Sequence, residues 1–281
     1  MEVFKTIFLL TALTLLFVFI GGYFGGQSGM LIAFGIAAAM NFFSYFYSDK
    51  LVLKHYRAVE VNRQNAKGFY EIVERLAQKA NIPMPKVYII PEAVPNAFAT
   101  GRNPNNAAVA ATEGLLNLLT KEEIEGVMAH ELSHVKHYDI LVGSIAATIA
   151  GAIAIIANIM QYGAMFSTDK NRQNPIIMIA IAIILPVAAT VIRMTISRNR
   201  EYMADEGAAK ITKHPEWLQS ALLKLDAYAK GGVMRNASQE SAHMFIVNPF
   251  SGKNISFASL FSTHPSIENR IAKLEQLKKV L

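Results

Sequence analysis

The chain has 281 residues, of which 52% are apolar and only 17% charged, well short of the roughly 25% charged residues of a soluble domain. Its net charge is +6 and its pI about 9.4, but no basic cluster is interleaved with aromatics, so nucleic-acid binding is not indicated. The absence of cysteine excludes disulfide staples, thiolate metal sites and a cysteine nucleophile.

The charge deficit is concentrated in four apolar stretches near the ~20 residues a helix needs to cross a bilayer. They predict transmembrane helices at about 6–25, 29–48, 140–163 and 175–193, none with an Asp, Glu, Lys, Arg or His in its interior. The first reads as a retained anchor rather than a cleaved signal, because its apolar run is long and a second follows at once. Gly25 to Gly29 forms the turn of the first pair, and Ser167 to Asn174 joins the second. Lys50, Lys54 and Arg57, and Arg193, Arg198 and Arg200, flank these stretches. With both termini and the polar parts on the cytoplasmic side, this satisfies the bias of basic residues toward the cytoplasm.

The organisation is therefore a membrane pair (1–48), a polar part (49–139), a second membrane hairpin (140–192) and a second polar part (193–281). The first polar part opens with a predicted helix over Val59 to Ala80, closed by Asn81-Ile82-Pro83. Short β-type runs follow at Lys86 to Ile90, Ala97 to Thr100 and Ala107 to Ala111, reading as a small antiparallel sheet. A helix opens at Thr120, with Glu123 completing a capping box. The second polar part is mostly helical, including Glu216 to Lys230 and Ser266 to Val280. The fold class is mainly α with a small antiparallel sheet (α+β).

The helix from Thr120 carries His130-Glu131-Leu132-Ser133-His134. Residues four apart share a helical face, so the two imidazoles converge on one ion while Glu131 reaches a water upon it. Two neutral imidazoles, an open position and a carboxylate form the zinc-hydrolase arrangement; the competing reading is a pair of surface histidines. A catalytic zinc normally takes a third protein ligand. A histidine six residues beyond His134 is ruled out, because position 140 is Ile. Glu201 and Asp205, also four apart, offer a carboxylate ligand and an acceptor for the outer N–H of a ligand histidine. Taken alone, that stretch reads more readily as a solvated helical charge run with Arg198 and Arg200.

These segments together resemble the HtpX-type membrane zinc metalloproteases, relatives of the CAAX prenyl endopeptidases. The resemblance rests on His130 to His134, on Ser197-Arg198 to Glu201-Tyr202 and Ala204-Asp205, on Pro95 to Gly101, and on Ser262-Thr263-His264-Pro265 with Arg270. It implies a zincin-like protease domain in which His130, His134 and Glu201 bind one zinc ion and Glu131 acts as acid and base. It further implies a membrane endopeptidase that degrades misfolded or damaged membrane proteins under stress, with Asn96 and Ala97 on the strand that holds substrate. His137 departs from the relatives' pattern, outside the ligand set. The oxyanion of peptide hydrolysis needs a second stabiliser, for which His264 comes first and Arg270 second; the competing reading of His264 is capping of the helix that follows. His55, His137, His214 and His243 are read as surface or structural. The alternative to a protease is a membrane metal transporter or sensor, which would place ionisable residues inside the spans.

Overall fold

The computed structural model describes residues 2–145, 198–231 and 265–280. Helix α1 (Glu2–His55) is two helices joined at Gly26, whose φ of 55° and ψ of −145° no helix can continue. The turn thus falls inside the glycine-rich stretch that predicted it. The chain folds back on itself, because Asn41 Nδ2 donates to Thr14 Oγ1 at 2.8 Å and to the Leu10 carbonyl at 3.2 Å. Within α1, Gly25–His55 is long and apolar enough to cross a membrane, and Leu10–Phe19 is a shorter apolar stretch. Phe8, Phe19, Leu31, Phe34 and Phe42 are exposed along it. The third and fourth predicted spans lie almost wholly outside the described residues.

The sheet comprises β1 (Val59–Val61), β2 (Lys86–Ile90), β3 (Ala97–Gly101) and β4 (Ala107–Thr112), in the order β1-β2-β4-β3. It is mixed, not antiparallel as the short runs predicted: β4 pairs antiparallel with β3 but parallel with β2, from Lys86↔Ala108 to Ile90↔Thr112. The chain passes from β2 to the far edge, descends as β3, and returns as β4 into the gap. β4 is buried throughout, as a central strand covered on both faces must be. Val109 faces the main core, while Ala108 and Ala110 meet Val52 and Leu53 from the end of α1. The outer face of the sheet therefore rests directly on the apolar hairpin.

The helix predicted over Val59 to Ala80 is shorter than expected. Val59–Val61 joins the sheet as β1, and Asn62 Oδ1 accepts from the backbone N–H groups of Gln64 and Asn65, turning the chain before α2 (Lys67–Ala80). Asparagine competes with helix in this way by bonding its own neighbouring backbone. The apolar stripe of α2, Phe69, Ile72, Val73 and Leu76, is buried as its spacing requires.

After α3 (Glu113–Leu118), helix α4 (Lys121–Lys136) starts on the expected capping box, Thr120 accepting from Glu123 N while the Glu123 carboxylate accepts from Thr120 N at 2.7 Å. Glu123 also accepts from Ser220 Oγ at 2.7 Å and Lys224 Nζ at 2.8 Å, pinning α4 to α6 (Pro215–Lys230). Helix α5 (Arg198–Thr212) packs most extensively against α4, and α7 (Ile267–Leu277) covers α5 and α6. Leu76, Val127, Leu132, Leu222 and Leu274 belong to one core cluster, so the described parts of the two polar segments form one body around α4.

Candidate metal centre

The α4 register places His130 and His134 one turn apart with their Nε2 atoms 3.2 Å from each other. Glu201, in the first turn of α5, brings Oε2 to 3.6 Å from His130 Nε2 and Oε1 to 3.5 Å from His134 Nε2. Tetrahedral zinc with ligands at about 2.0–2.1 Å has ligand–ligand edges of roughly 3.3–3.4 Å. These three donors already stand near that spacing, and among the described residues theirs is the group arranged to hold a metal ion. The close approach of α5 depends on Gly207: a methyl there would stand 2.9 Å from Ser133 Cβ and closer still to the Ser133 hydroxyl.

Each imidazole is held from behind. His130 Nδ1 lies 3.0 Å from Asp205 Oδ1, the contact that the four-residue spacing from Glu201 predicts. Asp205 is gripped in turn by Arg270, which donates from Nε at 2.8 Å and Nη2 at 2.6 Å. Arg270 Nη2 is also 3.4 Å from His130 Nδ1; since Arg270 can only donate, the Nδ1 proton belongs to the Asp205 contact. The guanidinium holds the Asp205 carboxyl below its usual range although burial opposes this. For His130, burial favours the neutral ring, but hydrogen bonds to Asp205 and Glu201 outweigh it and raise the metal-free pKa to about 9. His134 Nδ1 lies 3.0 Å from Asp139 Oδ2, a partner that the sequence did not disclose.

Glu131 projects from α4 beside His130 and is buried, which pushes its carboxyl up, while the neighbouring imidazoles and a backbone hydrogen bond from Ala99 pull it down less strongly. Ala99 lies on β3, the edge strand packed against α4. Asn96 and Ala97 stand at the start of this strand: Asn96 N donates to Thr112 Oγ1 at 2.9 Å, and Ala97 pairs with Ala111. Asn96 Oδ1 is buried with no hydrogen-bond partner among the described residues.

The pattern of peptidase family M48 matches residues 63–278, more than half of the chain and every residue of this centre. The chain belongs to peptidase family M48. It is 64% identical over 280 residues to a protein named Protease HtpX homolog from Campylobacter hominis, covering 99% of both chains. A protein of the same name from Sulfurovum sp. is 61% identical over 279 residues, covering 99% of this chain and all of the other. Among solved structures, that of S. mikatae Ste24p superposes with a TM-score of 0.53 at 16% identity, covering 97% of this chain and 65% of that one, a likeness of fold.

As an M48 metalloprotease the chain acts on proteins, and the remaining predicted residues can be placed against that activity. Arg270, the second choice for the oxyanion, is fully buried against Asp205 and reaches Glu201 Oε2 at 3.8 Å. His264 and His243 lie outside the described residues. His214 Nδ1 lies 2.8 Å from Glu216 and its ring stacks on Trp217, His137 caps the end of α4, and His55 packs on Tyr56. None of these three belongs to the metal-holding group. Asp139 was missed because it lies five residues from His134, off the helical face that spacing arguments examine.

Proposed function

We propose that this M48 metalloprotease is a membrane-embedded zinc endopeptidase in which His130, His134 and Glu201 hold one zinc ion and Glu131 is the acid and base. The observation that carries the reading is the convergence of both Nε2 atoms and the Glu201 carboxylate within 3.2–3.6 Å of one another, with Glu131 adjoining them. Zinc held there supplies a Lewis acid that polarises a peptide carbonyl and lowers the pKa of water. Glu131, raised by burial and steadied by the Ala99 N–H, takes the proton of the attacking water and passes it to the leaving amine.

β3, an edge strand of the sheet, binds an extended substrate by main-chain pairing beside Asn96 and Ala97, whose own side chains are buried; such pairing gives affinity with little side-chain preference. His264 is assigned to the developing oxyanion. At the start of α7 the cap is Ser266, which accepts from Asn269 N.

The exposed apolar surface of α1 and the basic residues Lys50, Lys54 and Arg57 at its end support a multi-pass protein with its site and both termini on the cytoplasmic face. Misfolded or damaged membrane proteins are the substrates that a site rooted at the bilayer would meet. The transporter reading is not favoured, because residues 6–48 contain no Asp, Glu, Lys, Arg or His. Detergent-purified protein incubated with zinc and unfolded casein tests the chemistry: hydrolysis should occur, and its survival in Glu131→Gln would overturn the role of Glu131. Labelling of Ser167→Cys from outside the cell tests orientation, and absence of labelling would argue against a crossing second hairpin.

A further inference from the structure

His134 is oriented by a residue that its own helix cannot supply. Its Nε2 faces Glu201, and its Nδ1, on the far side of the ring, lies 3.0 Å from Asp139 Oδ2. On a continuing helix a residue five positions on would stand about 140° around the axis, away from the His134 side chain. α4 instead ends at Lys136. His137 N–H returns to the Ser133 carbonyl, Tyr138 adopts a left-handed φ of 64°, and the chain swings Asp139 back beneath the last turn. A positive φ is strained for a bulky residue such as tyrosine, so this turn is held by its surroundings.

Asp139 is buried, and its second oxygen, Oδ1, lies 3.7 Å from Nη1 of Arg200, which is itself buried. Arg200 immediately precedes Glu201. The two ends of the long segment between α4 and α5 therefore meet at one ion pair, in which Asp139 contacts His134 and Arg200 adjoins Glu201 in sequence. His130 has a different support, Asp205, which is itself paired with Arg270.

We propose that Asp139 is the positioning residue of His134, and that its pairing with Arg200 ties the metal site to the junction where the chain leaves at 139 and returns at 198. The proposal rests on the zinc reading above and adds to it the device that fixes the second imidazole. Removal of the acceptor behind a ligand histidine typically weakens metal binding by about 10–100-fold.

The test uses the full chain purified in detergent, carrying Glu131→Gln so that autolysis does not intervene. Zinc affinity is measured by chelator competition, ligand geometry by the visible spectrum of the cobalt(II) form, and folding by thermal melting without metal. Asp139→Ala should bind zinc about 10–100-fold more weakly than the parent and change the cobalt spectrum. Asp139→Asn, which keeps an acceptor oxygen but not the charge, should retain the parent's melting curve and lose affinity only several-fold. Arg200→Gln should weaken zinc binding in the same direction and by less than Asp139→Ala. Parent-like zinc affinity in both Asp139 variants would overturn the proposal, as would an Asn variant no better than Ala. If Ala fails to fold, Asn decides alone: parent-like affinity and an unchanged cobalt spectrum would overturn the positioning role. A parent that binds no zinc would instead overturn the zinc reading itself, and this proposal with it.

Discussion

Arg270 grips Asp205 with two nitrogens, Nε to Oδ2 at 2.8 Å and Nη2 to Oδ1 at 2.6 Å, although α7 and α5 supply them from positions 65 residues apart. Both side chains are buried. The pair orients His130 and also closes α7 over the site. Arg270→Ala would strand a buried carboxylate, and breaking one partner of such a pair typically costs about 3–5 kcal/mol. Denaturant unfolding of the metal-free protein should show that loss, and Arg270→Lys should restore only part of it because lysine cannot make the two-pronged contact.

Metal loading should release protons. With a metal-free pKa of about 9, His130 is protonated at pH 7 between Asp205 and Glu201, whereas a ligand imidazole must be neutral. Loading therefore strengthens as pH rises toward 9 and weakens as pH falls, because the proton competes for Nε2. Calorimetry of zinc binding at pH 7 in buffers of different ionisation enthalpy should report about one proton released per ion, or more. A heat independent of buffer would contradict this state of His130.

Glu131 must be ionised to accept a proton, and its buried carboxyl is raised above the ordinary value. The ionised form is lost as pH falls through its pKa, so kcat/KM should fall on the acid side, with that limb below the metal-free pKa of Glu131 because a bound cation favours the carboxylate. Glu131→Gln should lower kcat/KM by about 10²–10⁴-fold, the usual contribution of a positioned acid or base, and should keep its metal.

Gly207→Ala sets two effects against each other. In an open helix the change would gain up to about 1 kcal/mol of propensity. Here the new methyl meets Ser133 Cβ at 2.9 Å, and the Ser133 hydroxyl is already committed to the Ala129 carbonyl at 2.8 Å. Overpacking of this kind costs about 1–3 kcal/mol, so the net sign should be destabilising. Because α5 must shift, zinc affinity should fall together with the melting temperature.

The sequence disclosed those parts of the site that obey helical periodicity. His130, Glu131 and His134 lie within one turn of α4, Glu201 and Asp205 within one turn of α5, and the Thr120 capping box marks the start of α4. Parts that depend on broken periodicity or on tertiary pairing were not legible. Asp139 reaches His134 only because Tyr138 turns left-handed, and the partnership of Arg270 with Asp205 spans 65 residues. The parallel pairing of β2 with β4 follows from β3 moving to the far edge. The burial of β4 on both faces was foreshadowed by a run of small apolar residues without alternation, Ala107 to Ala111. Val59 to Val61 was absorbed into a predicted helix because three residues show too little of a strand's period.

The most direct test of the central claim is zinc content measured alongside casein hydrolysis for the wild type, Glu131→Gln and Glu201→Ala, all purified in detergent. The account predicts one zinc and hydrolysis for the wild type, one zinc without hydrolysis for Glu131→Gln, and loss of both for Glu201→Ala. Equal zinc in Glu201→Ala and wild type, or undiminished hydrolysis by Glu131→Gln, would contradict it.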